Sequence, residues 1–448
     1  MEITFPRPVC QAISMLQSRG FEGYAVGGCV RDSLLGKFPS DWDITTSALP
    51  RQTEEVFAGY PLIETGLKHG TVTVLIDQMP LEITTYRIDG SYSDSRRPDS
   101  VSFTASLKED LRRRDFTINA MAAAPGTGII DPFHGEKDLK EKIIRAVGDP
   151  AQRFSEDALR ILRGMRFSAV LGFEIEKDTA DAMAGCRDLL KKVSAERCFS
   201  ELKKLLCGLG AEDVLLRFAP VMEVLLPELA PLRGFDQKTP YHIYDIYTHT
   251  VKSLAAIRPD PILRLTMLLH DIGKPACFTL DEKGQGHFKK HPAESAKMAE
   301  EILKRLRCDR QTIKLVCALI QYHDVTIPAN KSSLRRWINR LGEDVFLQLI
   351  EVKKADNLAQ NLSFSDRQQE YETLLSLYRQ IQEEQSCCHL SDLSVSGDDL
   401  KELGLFGKPL GEMLQKLLSA VIDERCPNDR QALLDLAKAE LSKDFSEN

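Results

Sequence analysis

The sequence predicts an α+β protein, a mixed head of strands and helices followed by an all-α body. Three observations carry this. Val72 to Ile76 and Leu81 to Tyr86 are β-rich runs separated by a polar turn. From about Asp149 onward the chain reads as helix after helix. A proline-bearing stretch, Pro220 to Pro240, marks a boundary within that helical part.

In chain order, Met1 to Gly20 reads as an amphipathic helix ending at a glycine. Strands and short helices follow to about Gly148. Ser155-Glu156-Asp157 then reads as a helix start, with a capping residue and acids in the first turn. A histidine-rich helical segment runs from the proline boundary to about Asn361, and a polar break at Glu383 to His389 precedes a last helical piece. The division expected is residues 1–148, 149–232, 233–362 and 363–448. No internal repeat is present.

The 448 residues suffice for about three domains with substantial cores. No apolar run approaches a membrane span, and the N-terminus lacks a charged-then-apolar signal pattern. Eleven scattered cysteines without a Cys-x-x-Cys pair suit reduced thiols in the cytoplasm. A net charge of −7 argues against a nonspecific coat for nucleic acid but leaves room for a local basic groove.

The stretch from Tyr24 to Ile44 carries the most chemistry. It contains Gly27-Gly28-Cys29-Val30-Arg31-Asp32 and then Asp41-Trp42-Asp43-Ile44. A glycine pair lets backbone approach a bulky anion such as a triphosphate. Asp41 and Asp43, two apart on a strand, share a face. Adjacent carboxylates repel unless neutralised, and Mg2+ held by one or two carboxylates plus substrate phosphates does this. The pairing predicts metal-assisted nucleotidyl transfer.

Thr85 to Pro98 is turn-rich and charged, a mobile surface loop or an ordinary linker. Arg112-Arg113-Arg114 precedes an apolar run; arginine clusters suit phosphates, and a solvated helix face has the same composition. Asp157, Arg160, Arg163 and Arg166 fall on adjoining parts of one helical surface, where acids early and arginines late also suit the helix dipole. Cytosine and adenine both present an exocyclic amine beside a ring-nitrogen acceptor. A carboxylate beside a guanidinium matches that order, whereas uracil and guanine reverse it. Each mismatch would bury unsatisfied groups at roughly 1–3 kcal/mol apiece. Asp157 with Arg160 is therefore a candidate protein template for C and A.

Taken together these motifs resemble the bacterial class II tRNA nucleotidyltransferases, the CCA-adding enzymes, of the DNA polymerase β-like nucleotidyltransferase superfamily. The resemblance rests on Gly27 to Asp32, Asp41/Asp43, the loop Asp89 to Pro98, Arg113 to Met121, Asp131-Pro132-Phe133 with Gly135, and Glu156 to Arg160. It implies a nucleotidyltransferase head, a helical neck, Mg2+ on Asp41 and Asp43, and nucleotide contacts from Gly27, Gly28, Arg31, Arg114, Asp157, Arg160, Arg163 and Arg166. Glu82 is a candidate third carboxylate. Ser194 to Arg197 is similar to the family's motif that braces the nucleotide-selecting helix. CC-only enzymes of the family lack a functional flexible loop, so its presence favours full CCA or A-only addition.

His249, His270-Asp271, His287, His291, His323-Asp324 and Asp356 resemble an HD domain. That resemblance implies a candidate transition-metal set of His249, His270, Asp271, His291, His323 and Asp356. Leu393 to Leu400 and Gly407 to Gly411 resemble the family's RNA-contacting tail. The expected substrates are tRNA, CTP and ATP, with tRNA gripped by shape and backbone and with no membrane partner. Lys191-Lys192 reads first as a solvated pair. The alternatives are a poly(A) polymerase or A-adding enzyme and, from another class, an HD phosphohydrolase; a noncatalytic tRNA-binding module is disfavoured by the retained nucleotide-selecting residues. A guanosine-tetraphosphate synthetase/hydrolase would place the HD domain first.

Overall fold

Strands of the front of the chain include β1 (Gly23–Val26), β2 (Trp42–Thr46), β3 (Leu62–Ile63), β4 (Thr71–Ile76), β5 (Met79–Thr85), β6 (Arg87–Asp89), β7 (Val101–Phe103), β8 (Ala122–Ala124) and β9 (Gly128–Ile130). Seven form one mixed sheet in the order β3-β4-β5-β2-β1-β8-β9, with β6 and β7 as a separate antiparallel pair. The structure is a computed structural model that describes residues 3–63, 66, 70–89 and 101–444. The loop expected over Asp89 to Pro98 lies, apart from Asp89, outside the described residues.

The two expected β-rich runs are strands β4 and β5, paired antiparallel as a hairpin. Its turn residues Asp77 and Gln78 both have positive φ, 48° and 65°, as a tight hairpin turn requires. Val72, Val74, Ile76, Leu81 and Ile83 point from β4 and β5 into the core. Central β2 pairs parallel with β5 and β1 pairs antiparallel with β2. Trp42 and Ile44 are buried, so Asp41 and Asp43 alternate to the other face, as the spacing predicted.

Helices α1 (Arg7–Ser18), α2 (Gly28–Leu34), α3 (Pro50–Val56), α4 (Leu107–Arg112) and α5 (Gly135–Glu141) complete the head. α1 starts later than the expected Met1, because Pro6 stands at its N-cap and Pro8 is tolerated only in the first turn. Gly135 cannot carry a side chain: a Cβ there would lie 2.2 Å from the Thr117 carbonyl oxygen.

The helix expected from Ser155 is two helices. α6 (Pro150–Glu156) is capped by Asp149, which accepts from the Gln152 N–H at 3.0 Å. Asp157 then turns extended, with φ −140° and ψ 101°, before α7 (Leu159–Leu171). The acids close one helix and separate it from the next; Asp149 with Pro150 is the stronger start signal. α8 (Lys177–Gly185), α9 (Ala195–Leu206), α10 (Ala211–Arg217) and α11 (Ala219–Leu225) follow, with α9 packed against α7.

The chain divides into two units, residues 1–230 with 302–308, and residues 231–301 with 309–448. The second contains α12 (Ile246–Ala256), α13 (Pro261–Leu269), most of α14 (His291–Arg305), α15 (Arg310–Tyr322), α16 (Lys331–Leu341) and α17 (Glu343–Leu358). α12 packs on α13 and α17, and α13 on α15. No helix of the described residues is long and apolar enough to cross a membrane.

Candidate active site

The glycine turn and the carboxylate strand meet at Arg114. Gly27 has φ 81°, and a Cβ there would approach the Arg114 Nη1 to 2.9 Å. The positive φ favours glycine, and a Cβ would press on the far end of the Arg114 side chain. Asp43 is Arg114's acidic neighbour across the site. The Asp43 carboxyl is raised above the usual carboxylate range. Withdrawal from water raises it first; Arg114 opposes, and Glu82 and Asp41 raise it further. Glu82 is the register partner of Asp43 on β5, so three carboxylates share one face of the sheet. Asp41 is tethered by the Ser40 hydroxyl at 2.9 Å. Among the described residues, the sets of three or more groups converging within 4.8 Å all lie in the second unit; the head carboxylates are aligned but not closed into a cage.

Around them the arginines are held by carboxylates and one ring. Arg31 donates to the Asn119 side-chain oxygen at 2.7 Å and doubly to Asp32. Arg163 donates to Asp115 at 2.7 Å, and Arg166 to Glu201 at 2.5 Å. Phe167, only 4% exposed, lies beneath the Arg31, Arg163 and Arg166 guanidinia at 5.1, 5.4 and 4.0 Å. Asp110, fully buried, anchors Arg113 at 2.8 Å and Arg114 at 3.7 Å and accepts from Thr45. Asp115 also accepts from Asn119 and from the Phe116 N–H. Its carboxyl is pulled down to about 2: burial opposes this, but Arg163 and the Asn119 bond outweigh it.

Asp110, Phe167 and Glu201 are not singled out by the sequence, and Asp115 and Asn119 lie within the Arg113 to Met121 motif without a role assigned there. Spacings of three and four, Asp110 to Arg113 and Arg114 and Asp115 to Asn119, are local signals; Arg163 and Glu201 come from distant segments.

Asp157 and Arg160 do not pair with each other. Asp157 accepts from Arg197 at 2.7 Å and from the Leu159 N–H at 3.1 Å. The Arg160 guanidinium, nearly buried, binds Glu156 at 2.8 Å and the carbonyls of Arg153 and Arg113 at 3.1 and 2.9 Å. Asp157 and Arg160 are thus two separately braced side chains rather than the side-by-side pair expected. Lys191 pairs with exposed Asp188, as a solvated pair would.

In the second unit, six of the expected residues assemble. His249, His270, Asp271 and Asp356 converge within 4.8 Å, as do Asp271, His291 and His323. His287 stands apart on Asp281 at 3.1 Å, and Asp324 is exposed.

Residues 23–145 match the family described as poly A polymerase head domain, residues 172–232 the "Probable RNA and SrmB- binding site of polymerase A", and residues 292–437 the tRNA nucleotidyltransferase domain 2. The CCA-adding enzyme of Streptococcus gordonii is 33% identical over 439 residues, covering 96% of this chain and 97% of its own. That of Enterococcus faecalis is 32% identical over 433 residues, covering 96% and 95%. The crystal structure of the Bacillus stearothermophilus CCA-adding enzyme in complex with CTP superposes with a TM-score of 0.74 at 27% identity, over 99% of this chain and 100% of that one. With about a third of residues identical to these relatives along nearly the whole chain and an α+β architecture shared with the solved one, the chain belongs to the CCA-adding enzymes, tRNA nucleotidyltransferases.

Proposed function

We propose that the chain adds CCA to tRNA 3′ ends from CTP and ATP, without a nucleic-acid template, and that Asp41 and Asp43 hold the catalytic Mg2+. One observation carries the assignment: Asp41, Asp43 and Glu82 share a sheet face whose Arg114 adjoins the Gly27 turn. Asp43 shares its sheet face with Glu82 and Asp41, negative charge that a hard cation would offset, so the residues fit the metal. When bound there, Mg2+ lowers the pKa of the RNA 3′-hydroxyl and neutralises the triphosphate.

The chain's own groups do the positioning. Gly27 and Gly28 admit the triphosphate to backbone distance. Arg31, Arg114, Arg163 and Arg166 supply donors and positive charge to its oxygens. The hydroxyl oxygen attacks the α-phosphorus and pyrophosphate leaves; catalysis is mainly alignment and charge neutralisation. Asp157 and Arg160 read the base. Each Asp157 oxygen has capacity for a further hydrogen bond, and a guanidinium carries more N–H donors than Arg160's three contacts use.

We assign residues 1–148 to the head, 149–232 to the neck, 233–362 to the HD-like body and 363–448 to the RNA-contacting tail. Free thiols throughout suit the cytoplasm as the location. The decisive experiment extends a tRNA trimmed of CCA with each triphosphate separately and together, read at nucleotide resolution. The expected result is CC with CTP alone and CCA with CTP plus ATP. A poly(A) polymerase would leave the trimmed tRNA unextended by CTP alone.

A further inference from the structure

Asp110 lies behind the candidate site, fully buried on α4, and its carboxylate joins parts of the head that the reaction uses separately. Its Oδ1 accepts from both the Nε and the Nη2 of Arg113, at 2.9 and 2.8 Å, and from the Arg87 main-chain N–H at 3.3 Å. Its Oδ2 accepts from the Thr45 hydroxyl at 3.0 Å and lies 3.7 Å from the Arg114 Nη2. Thr45 stands two residues beyond Asp43 on β2, and Arg87 opens β6. Burial works against the charge on Asp110, but Arg113 and Arg114 outweigh it and hold the carboxyl below its usual range. Donors converging on both oxygens leave the carboxylate no freedom to turn.

Two arms leave this anchor. The first is Arg114. Its Nε is buried without a hydrogen bond among the described residues, so charge rather than a directed fork places the guanidinium. Asp110, Asp43 and Asp115 supply that charge. Neutralising one of them shifts the balance point of the attraction and moves the guanidinium with it. The second arm is Arg113. It is the C-cap residue of α4, and its carbonyl is one of the helix-end acceptors without a partner inside the helix. The Arg160 Nη2 donates to that carbonyl at 2.9 Å. The fork from Arg113 back to Asp110 thus fixes the peptide on which the Arg160 guanidinium rests.

We propose that Asp110 is a positioning residue that couples alignment of the triphosphate to selection of the base: its one carboxylate sets Arg114 against Asp43 and, through Arg113, sets Arg160 against the incoming base. This role rests on the triphosphate and base contacts assigned above to Arg114 and Arg160. Asp110 itself has no exposed surface and acts only through the two arginines. A side chain that merely supported the fold would change the fraction of active protein and hence kcat. One that places both arginines changes KM and the choice among bases.

The test is single-nucleotide incorporation of CTP and of UTP into tRNA trimmed of CCA by the full-length D110N, R113Q, R160A and D110N/R160A proteins. Thermal melting and tRNA filter binding check that each variant folds. D110N removes the charge from hydrogen bonds to two guanidinia, so it should raise KM for CTP and narrow the CTP to UTP preference, each by about 10-fold or more. R113Q should narrow the preference similarly with a smaller rise in KM, because Arg114 keeps Asp110. D110N/R160A should discriminate no worse than R160A. In folded D110N, an unchanged KM, an unchanged preference or a fall in kcat alone would overturn the coupling. Narrowing in D110N/R160A that multiplies the two single effects would overturn it too. Where D110N does not fold, an unchanged preference in R113Q overturns it. R160A with the wild-type preference would overturn the reading of Arg160 and the base arm with it; failure of D110N beside a narrowed R160A overturns the role of Asp110 alone.

Discussion

The Arg197 Nη2 lies 2.7 Å from the Asp157 Oδ2, a bond that ties α9 to the break between α6 and α7. Asp157 can present a base-reading edge only while that break keeps its shape, and Arg197 is the side chain that holds it. A hydrogen bond to a charged group contributes about 1.5–3 kcal/mol. R197A should therefore lower kcat/KM for CTP and ATP on the order of 10- to 100-fold and narrow the preference over UTP. Single-nucleotide incorporation with competing triphosphates measures both; an unchanged CTP to UTP ratio would remove Arg197 from base selection.

Asp43 is ionised against its surroundings, since burial and two neighbouring carboxylates raise its pKa. A raised carboxyl means that ionisation destabilises the fold above that pKa. In chelator at neutral pH, D43N should melt no lower than wild type while incorporation disappears. Mg2+ should raise the melting temperature of the wild type more than that of D43N. A D43N protein that still adds nucleotides at the normal rate would refute the metal role.

Asp115 has the opposite sign. Its pKa, held at about 2 by Arg163 and Asn119, lies below the ordinary value near 3.8. The resulting stabilisation is complete above the ordinary value and is lost as pH falls from there through about 2. By linkage it is on the order of 2 kcal/mol. D115N should flatten that part of the stability–pH curve, measured by urea denaturation. D115A leaves Arg163 without its main partner and should cost about 3–5 kcal/mol.

Phe167 supports three guanidinia on one ring. F167L keeps an apolar side chain but removes the π face, at about 0.5–1 kcal/mol per cation. KM for CTP and for ATP should rise together several-fold, with the choice among bases unchanged. A selective loss for one triphosphate would contradict a shared positioning role.

If tRNA is gripped chiefly through its phosphates, affinity must fall steeply with salt. Raising salt from about 50 to 200 mM should weaken binding by on the order of 10³-fold or more for several phosphate contacts. Filter binding across a salt series measures the slope, and a flat response would exclude a backbone-dominated interface.

The head chemistry was legible in the sequence because its determinants are local. Strand alternation puts Asp41 and Asp43 on one face whatever surrounds them, and the positive φ at Gly27 favours glycine. The family motifs likewise lie within short windows. Local spacing misled where two helices abut: Ser155 to Asp157 looked like one helix start, yet the carboxylate of Asp157 serves an extended break. Which carboxylate holds which arginine was decided only by tertiary structure. Asp115 reaches Arg163, Glu201 reaches Arg166 and Arg197 reaches Asp157 across separations of 48, 35 and 40 residues. Charge attraction is indifferent to sequence distance, so composition cannot choose among the partners. The packing of α7 against α9 makes that choice for Glu201 and Arg166, and in the second unit the packing of α12, α13, α15 and α17 does the same for histidines scattered along the chain.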